Sequence, residues 1–345
     1  MSTRLSIYSY VFFLLSGCLL VGKVKAIEPI PEEQGWSGYV FLGGGYTTVK
    51  SNTVVGNDLI DGGNSTIANI FQAPDSEGAA HPLTGLEVKY TLPGHNQIFL
   101  GGSLEDRLTL DFANQLGWRK QTQSIGSFQF GLLFSVLPVE LWEDPYLAGE
   151  LRKAVDRDSQ GVRFEWARIM GSSFDLRLQV RENELDSERS GTDPVLSCDS
   201  GCQRLLDRNG NQYQARLSYR FILSPKHLLE PQLRMRREDR DGAAVSRDAW
   251  AVQLAYSYLQ PDWIFVANAV YGKSNYDEVN PLYGIRQDAE TLAIDATVLY
   301  TLPTESRRWL ATGTLFWSEA DSDILFHDNK LSQTAFGVIY NFGGS

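Results

Sequence analysis

The segment 334–345, which reads TAFGVIYNFGGS, decides the fold. Every second residue in its first part is large and apolar or aromatic: Phe336, Val338, Tyr340 and Phe342. Successive side chains of a β-strand point to opposite faces, so a strand would carry all four on one surface. The segment therefore predicts a strand with one strongly apolar face.

The same segment contains a candidate targeting signal. Gly337, Tyr340 and Phe342 fit the pattern glycine, any, any, hydrophobic, any, hydrophobic. This pattern resembles the signal by which Gram-negative outer-membrane barrels are recognised, and it implies the barrel-assembly machinery as a partner during biogenesis. Such signals end on the aromatic residue, whereas three residues follow Phe342 here. We expect residues 343–345 to form a short periplasmic tail.

Residues 1–26 have the layout of a cleaved export signal. Arg4 gives a positive start, a largely apolar stretch follows, and small residues precede a cleavage point after Ala26. Cleavage there would leave 27–36 as a short periplasmic segment ahead of the first strand.

An alternative N-terminus stays open. Residues 15–18 (LSGC) match the lipobox of bacterial lipoproteins, in which the cysteine, here Cys18, becomes lipidated. The apolar stretch continues past Cys18, and this favours ordinary cleavage after Ala26.

The net negative charge of the chain limits which classes of partner it can bind. The whole chain has a net charge of −11, and the predicted export signal contains three basic residues and no acid, so the exported chain is more acidic still. Binding to phosphate backbones needs a basic surface, so nucleic acid is not an expected partner.

Cys198 and Cys202 are the cysteines left after the export signal. In an exported protein, two cysteines this close predict a small loop disulfide. A thiolate metal site would need four ligands, and no histidine is near in sequence. Neither a metal nor a cofactor is predicted.

Runs of about ten residues with period two recur along the chain, separated by turn residues. Clear examples are 86–92, 176–181, 213–221 and 292–300. No window after residue 26 is apolar enough for a transmembrane helix. The repeat indicates an all-β protein, an antiparallel transmembrane β-barrel with apolar residues toward lipid and polar residues toward the lumen.

The connections fall into two alternating classes, as expected for short periplasmic turns and long outer loops. The short class is 93–96, 171–173, 224–226, 260–262 and 303–305, together with the longer 136–145. The long class is 50–81, 105–124, 156–160, 187–211, 237–246, 274–287 and 318–330. Between them lie about 14 strands within residues 37–342, with 12 or 16 as alternatives.

Aromatic residues cluster beside the predicted periplasmic turns, where an interfacial girdle belongs. They are Tyr90, Phe134, Trp142, Tyr146, Phe221, Tyr258, Trp263, Tyr300, Trp309, Tyr340 and Phe342. A soluble β-sandwich also alternates, but it has no reason to collect aromatics at one class of turn.

Charged residues occupy the faces opposite the apolar rows. The arginines are Arg163, Arg177, Arg181, Arg216, Arg220, Arg234 and Arg236, and the carboxylates are Glu87, Glu150, Glu165 and Asp295. One interpretation is a lumen that selects solutes by charge. The other is a set of interior ion pairs that hold neighbouring strands together. Both interpretations stay open.

Catalysis finds little support in the sequence. His327, in a predicted outer loop beside Asp328, is the best candidate base. A loop histidine is far more often simply solvated, so no catalytic residue is predicted.

Three segments carry a family resemblance: 27–31 (IEPIP), 35–40 (GWSGYV) and 340–342 (YNF). With this layout the chain is similar to a set of Gram-negative outer-membrane barrel proteins catalogued as a domain of unknown function. The resemblance spans essentially the exported chain. It implies the location and the fold, and it brings no substrate or catalytic residue.

The leading hypothesis is a single-domain, monomeric, porin-like barrel in outer-membrane lipid that passes small hydrophilic solutes, with loops that narrow its mouth. A non-conducting barrel whose outer loops bind a surface partner is the alternative. A surface hydrolase is a third and weaker hypothesis.

Overall fold

The computed structural model describes residues 30–57, 60–61, 64–102, 113–136 and 139–343. The predicted export signal, including Cys18, and the last two residues of the predicted tail lie outside these ranges. The strands are β1 (Gly35–Lys50), β2 (Val54–Asn57), β3 (Ile60–Asp61), β4 (Ser76–Leu92), β5 (Asn96–Gly101), β6 (Ala113–Gln121), β7 (Ser127–Ser135), β8 (Val139–Trp142), β9 (Ala154–Ala167), β10 (Phe174–Leu185), β11 (Gly210–Tyr219), β12 (Phe221–Ser224), β13 (His227–Arg240), β14 (Arg247–Leu259), β15 (Trp263–Tyr276), β16 (Ala289–Thr301), β17 (Trp309–Ser322) and β18 (Asn329–Gly343).

Helix is scarce in the described ranges. It comprises α1 (Ser200–Leu205) and the short 3₁₀ turns Ile169–Gly171, Pro194–Leu196 and Leu325–His327. None of the described helices has the length and apolar character needed to cross a membrane.

The first and last strands pair with each other and close the sheet. Antiparallel pairing of β1 with β18 places Phe41 opposite Ile339, and pairing of β1 with β4 places Tyr39 opposite Glu87. Each further barrel strand pairs with the next in the same way. Strands β2, β3 and β8 belong to outer loops, and β11 with β12 forms one interrupted strand, so the described residues build a closed antiparallel barrel of 14 strands. The predicted architecture and strand number are confirmed.

The barrel wall is apolar outside and mostly polar inside. In β10, Arg177 is 8% exposed and faces the interior, whereas the next residue, Leu178, is 42% exposed. The exposed apolar residues around the wall include Leu42, Leu86, Leu100, Leu116, Leu132, Leu217, Leu233, Leu254, Leu292, Leu315 and Phe336. So wide an apolar belt is costly in water and is what lipid requires. The chain is an outer-membrane protein.

Aromatic pairs mark the periplasmic edge, where β1 begins, β18 ends and the short turns lie. The ring centroids of Trp36 and Tyr90 are 4.9 Å apart, and those of Trp309 and Tyr340 are 4.6 Å apart. Tyr and Trp favour this interface because their rings are apolar and their polar atoms can remain wet.

The region between β5 and β10 differs from the sequence prediction. Residues 136–145 were predicted to form a periplasmic turn, and this is wrong, because they belong to an outer loop. Residues 156–160, predicted as a loop, lie inside β9. The predicted outer loop 105–124 is wrong over its described part, because 113–121 form β6 and 122–126 are the periplasmic turn between β6 and β7. As a result, Trp142 and Tyr146 lie at the outer mouth and Phe134 lies at the outer end of β7, so the prediction that these three belong to the periplasmic girdle is wrong.

We name the outer loops in chain order as L1 (51–75), L2 (102–112), L3 (136–153), L4 (186–209), L5 (241–246), L6 (277–288) and L7 (323–328). Most of L2 lies outside the described residues.

Aromatic rings lie flat against inward-facing glycines of neighbouring strands. A Cβ added at Gly337 would lie 2.3 Å from Cε2 of Phe41, and one at Gly117 would lie 2.4 Å from Cζ of Phe99. Glycine is required at both places because the ring occupies the space of a side chain, a device that covers exposed backbone in curved sheets.

Candidate functional site

Four adjacent strands line one side of the barrel interior with arginine. The side chains of Arg163 in β9, Arg177 and Arg181 in β10, Arg216 in β11, and Arg234 and Arg236 in β13 are all buried at 3–8% exposure. Strand register places Arg177 opposite Arg216 and Arg216 opposite Arg234. We call the inward faces of β9, β10, β11 and β13 the arginine wall.

Another side of the interior, formed by β14–β18 and β1, is mostly uncharged and mixes apolar residues with Thr, Ser, Asn and Gln. Its buried inward-facing residues on β14–β18 and β1 include Ala251, Ile264, Val266, Val270, Leu299, Phe316, Ala335, Ile339 and Phe41. Asp295 of β16 also faces the interior here and accepts a hydrogen bond of 2.8 Å from Nδ2 of Asn268. The interior therefore has one cationic side and one largely uncharged side.

Several predicted lumen residues form ion pairs. Nε of Arg177 lies 2.9 Å from Oε1 of Glu165 on the adjacent strand. Near the periplasmic end, Arg220 joins Asp175 and Glu230, each at 3.1 Å. These contacts support the interpretation of cross-strand pairs that fix register.

Glu87 of β4 is a second centre of pairing. One of its carboxylate oxygens lies 3.0 Å from Nζ of Lys89 and 3.2 Å from Nη1 of Arg119. The guanidinium of Arg119 also lies 4.0 Å above the ring of Phe99. Glu150, predicted as a lumen carboxylate, is instead exposed in L3, so that prediction is wrong.

Cations outnumber carboxylates in the interior. Among the described barrel strands, the buried or half-buried inward-facing cations are Lys89, Arg119, Arg157, Arg163, Arg177, Arg181, Arg216, Arg220, Arg234, Arg236, Arg240 and Arg247. The carboxylates of the same kind are Glu87, Glu165, Asp175, Glu230, Glu238 and Asp295. On the described inward faces there are thus twice as many cations as carboxylates.

An additional strand, called the inserted strand below, extends the sheet at the outer rim of the barrel. Strand β8 of L3 pairs with the outer end of β9, and β2 of L1 pairs with β8. All four residues of β8 are buried, so both of its faces are covered by protein. Strand β8 therefore continues, beyond the lipid, the place beside β9 that β7 occupies lower in the wall, and loop residues cover it.

Two charged side chains hold the inserted loop in place. The carboxylate of Asp144 accepts hydrogen bonds from the backbone N–H groups of Tyr146 (2.9 Å), Gly191 (3.1 Å), Thr192 (2.8 Å) and Asp193 (3.2 Å), tying L3 to L4. Arg152 donates to the carbonyl oxygens of Asn52 and Pro145 at 2.6 and 3.0 Å. Burial lowers the pKa of Arg152 to about 9, which leaves it charged at neutral pH.

The outer loops share an apolar centre, which we call the cap core. It consists of Ile67, Ile70, Tyr146, Leu206, Ala244, Ile324 and Phe326, from L1, L3, L4, L5 and L7. The rings of Tyr146 and Phe326 are stacked with centroids 5.5 Å apart. Tyr283 of L6 donates a hydrogen bond of 2.8 Å to the carbonyl oxygen of Ile70. Packing of this kind organises the loops into one body over the barrel.

His327 lies inside this body. Its side chain is 6% exposed, and its Nε2 is 3.4 Å from the hydroxyl of Tyr146. The prediction of an outward-facing loop histidine is wrong, because the cap core covers it. Burial lowers the pKa of His327 to about 3, so the imidazole is neutral at physiological pH and does not meet a surface substrate.

The predicted disulfide is confirmed: Cys198 and Cys202 are bonded, with Cα atoms 5.3 Å apart. Asp199 between them caps α1, accepting hydrogen bonds of 2.9 Å from the N–H groups of Gly201 and Cys202. The bridge holds a helical turn of L4 against the cap core.

The residues of the assembly pattern lie at the seam between the last strand and its neighbours. Gly337 faces inward beneath Phe41, and Tyr340 faces outward against Trp309. Phe342 is opposite Gly38 in β1.

The sequence prediction missed the charged residues at the outer ends of the strands. They are Arg157, Glu238, Arg240 and Arg247, all placed in or beside predicted loops. A signal was present, since Glu238 and Arg240 continue the period-two series of Arg234 and Arg236. Among the described residues, no group of His, Cys, Asp and Glu is arranged to hold a metal ion.

The fold defines an outer-membrane β-barrel with a charged interior and a loop-covered mouth. The chain belongs to the family described as "Protein of unknown function (DUF2860)", whose family model matches residues 35–341. No curated protein sequence matches the chain.

Solved structures similar to the chain include other barrels. A FadL homologue of Pseudomonas aeruginosa has 11% identity and a TM-score of 0.44, with 90% of each chain covered. The outer membrane channel DcaP of Acinetobacter baumannii has 10% identity and a TM-score of 0.40, covering 90% of this chain and 97% of that one. An anion-selective porin from Comamonas acidovorans has 8% identity and a TM-score of 0.38, covering 90% and 99%.

Proposed function

We propose that this protein is a monomeric, narrow channel of the outer membrane for small hydrophilic solutes, with a preference for anions. The observation that carries the proposal is the twofold excess of inward-facing cations over carboxylates on the barrel strands. A cationic lining with low-dielectric walls raises the local concentration of anions and repels cations. The predicted lumen residues, including Arg163, Arg181, Arg216 and Arg234, would set this preference.

The inserted strand β8 supports a narrow path. It is buried on both faces in the outer mouth, and the arginine wall beneath it is buried as well. Such a path favours solutes of small cross-section.

Ion selectivity of the purified protein in a planar bilayer tests the proposal. Under a salt gradient of KCl, we expect discrete conductance steps and a reversal potential shifted toward that of chloride. Replacing both Arg216 and Arg234 by Gln should move the reversal potential toward zero. Arg237→Gln is the matched control, since Arg237 is on the same strand as Arg234 but lies on the outer side of the wall, paired with Asp277 at 2.6 Å.

A folded barrel without conductance steps at any voltage would overturn the channel proposal. Steps with cation preference would overturn the assignment of selectivity to the arginine wall. Heat-modifiable mobility in gel electrophoresis verifies that each variant is folded.

A second candidate is a barrel whose outer loops bind a surface partner. It is favoured by apolar side chains exposed on those loops: Phe71 (67%), Leu151 (75%), Val195 (85%), Ile285 (47%) and Leu325 (52%). Exposed apolar residues supported by a packed body can form an interaction surface. This function predicts folded barrels that adhere to a surface and show no conductance.

A further inference from the structure

We propose that the outer end of the arginine wall is a binding site for a small polyvalent oxyanion, of the chemical class of inorganic phosphate. The site, called the oxyanion site below, is formed by arginines around one carboxylate, Glu238. The arginines are Arg157, Arg181, Arg236, Arg240 and Arg247. It deepens the proposed function, on which it rests for its place in the solute path.

Strand register brings these residues together. A single row of paired positions runs from Arg181 in β10 through Gln212 in β11 and Glu238 in β13 to Arg247 in β14. The four side chains of this row face the interior and are at most 7% exposed. Neighbours in such a row have Cβ atoms about 5 Å apart, so their long side chains share one small volume.

Glu238 is shared by three guanidinium groups. One of its oxygens lies 3.2 Å from Nη1 of Arg236 and 2.8 Å from Nη2 of Arg247, and the other lies 3.3 Å from Nη2 of Arg240. Arg157 and Arg181 are also within electrostatic range of the cluster. In the ion pairs of this cluster, three guanidinium groups share the single carboxylate of Glu238. Buried charge of one sign requires compensation, which an anion provides.

Two buried hydrogen-bond donors at the site also favour an oxyanion as the ligand. In the part of the chain that the structure describes, Nε2 of Gln212 and Nδ2 of Asn183 are buried and donate to no protein acceptor. Asn183 is the next inward-facing residue after Arg181, and it pairs with Gly210, which has no side chain to fill the space. A buried donor without an acceptor costs free energy. An oxyanion brings several acceptor oxygens and no donor that would compete.

The chemistry favours a polyvalent oxyanion over chloride. Guanidinium groups bind phosphate or carboxylate oxygens with paired, charge-assisted hydrogen bonds, a geometry that a spherical ion cannot use. The location also connects the site with transport. Arg157 is paired with Val139 of the inserted strand, which places the site at the outer end of the proposed solute path. A solute held here would be bound at the outer end of the barrel strands, next to the inserted strand.

Calorimetric titration of the folded protein in detergent with inorganic phosphate, at constant ionic strength, tests the proposal. We expect saturable binding of phosphate that chloride does not displace at equal concentration. Gln212→Leu keeps the size of the side chain and removes the donor, and Arg181→Gln removes one guanidinium. Each should weaken phosphate binding by about tenfold or more, as for loss of a charge-assisted hydrogen bond. Arg237→Gln, on the outer side of the wall, should leave the affinity unchanged.

The outcomes separate this proposal from the proposed function. Absence of phosphate binding by a folded wild-type barrel overturns the oxyanion site, even if the conductance is anion-selective. Equal affinity in wild type, Gln212→Leu and Arg181→Gln overturns its location. Specific binding by a barrel that shows no conductance supports the site and removes the channel proposal. Heat-modifiable mobility identifies any variant that fails to fold, and the other variant then decides.

Discussion

The phenyl ring of Phe41 in β1 covers the backbone of Gly337 in β18, at the seam where the first and last strands of the barrel meet. A Cβ at Gly337 would lie 2.3 Å from the ring and 2.8 Å from the carbonyl oxygen of Leu42. The glycine of the assembly pattern thus has a role in the folded barrel as well, because only a residue without a side chain leaves room for this ring.

Gly337→Ala should therefore destabilise the barrel by about 1–3 kcal/mol, the range for overpacking a well-filled site. The measurement is the unfolding midpoint in denaturant, followed by loss of heat-modifiable mobility. Gly44→Ala is the matched control in the paired strand, since the nearest atom to its added Cβ is 3.7 Å away. Equal midpoints for the two variants would contradict the close contact.

Asp144→Ala should release L3 from L4. The carboxylate is the acceptor for four backbone N–H groups in these loops, and buried donors that lose a charged acceptor cost about 1–3 kcal/mol each to leave unpaired. We expect faster tryptic cleavage at Arg189 and Arg204 in L4, with unchanged barrel mobility on gels. Glu150 is an exposed carboxylate of the same loop, and trypsin should cleave the Glu150→Ala variant at the wild-type rate. If both variants cleave at the same rate, Asp144 is not the anchor.

Lowering the pH should destabilise the cap core, because His327 becomes protonated when the loop opens. Burial holds its pKa at about 3, below the ordinary 6.5, so the unfolded loop binds a proton more readily than the folded one. The stability of the cap is thus complete above pH 6.5 and falls as the pH drops from 6.5 toward 3, by up to about 1.4 kcal/mol per pH unit.

Hydrogen exchange of the L7 amides at pH 7 and pH 4.5, corrected for intrinsic rates, measures this effect. His327→Gln has no proton to gain in this range and should show a smaller pH dependence than wild type. The same dependence in both proteins would show that other groups, such as Asp328, control the loop.

Replacing Cys198 and Cys202 by Ser should affect L4 alone. The bridge spans a sequence separation of 4, and a loop this short corresponds to about 2 kcal/mol in the chain-entropy account. We expect faster hydrogen exchange in α1 and an unchanged unfolding midpoint of the barrel. A large fall in that midpoint would mean that L4 supports the wall as well as the cap.

The barrel could be predicted from the sequence because lipid imposes a strict alternation on every strand it contacts. Leu178 and Val180 had to face lipid, and this placed Arg177 and Arg181 inside. The alternation ends where a strand rises beyond the lipid. In the outer half of β9, Asp156 and Asp158 take the outward positions, so residues 156–160 had the composition of a loop.

The cap could not be predicted in this way. Tyr146, Leu206 and Phe326 pack together from three loops that have no common period, and an isolated aromatic in a polar loop gives no indication of its partner. The same applies to the oxyanion site, whose Glu238 and Arg240 were assigned to a loop because polar residues surround them on both faces. A charged residue at the end of a strand can be assigned to a site only when the pairing register of the neighbouring strands is known.

The hydroxyl of Tyr146 and the imidazole of His327 meet across 181 residues of sequence. Contacts so distant along the chain bring a large loop-closure entropy and form slowly. They also require L3 and L7 to be fixed at the same rim, which happens only after β18 has joined β1. We therefore expect the cap to form late in biogenesis, after the last strand has entered the membrane and paired with the first.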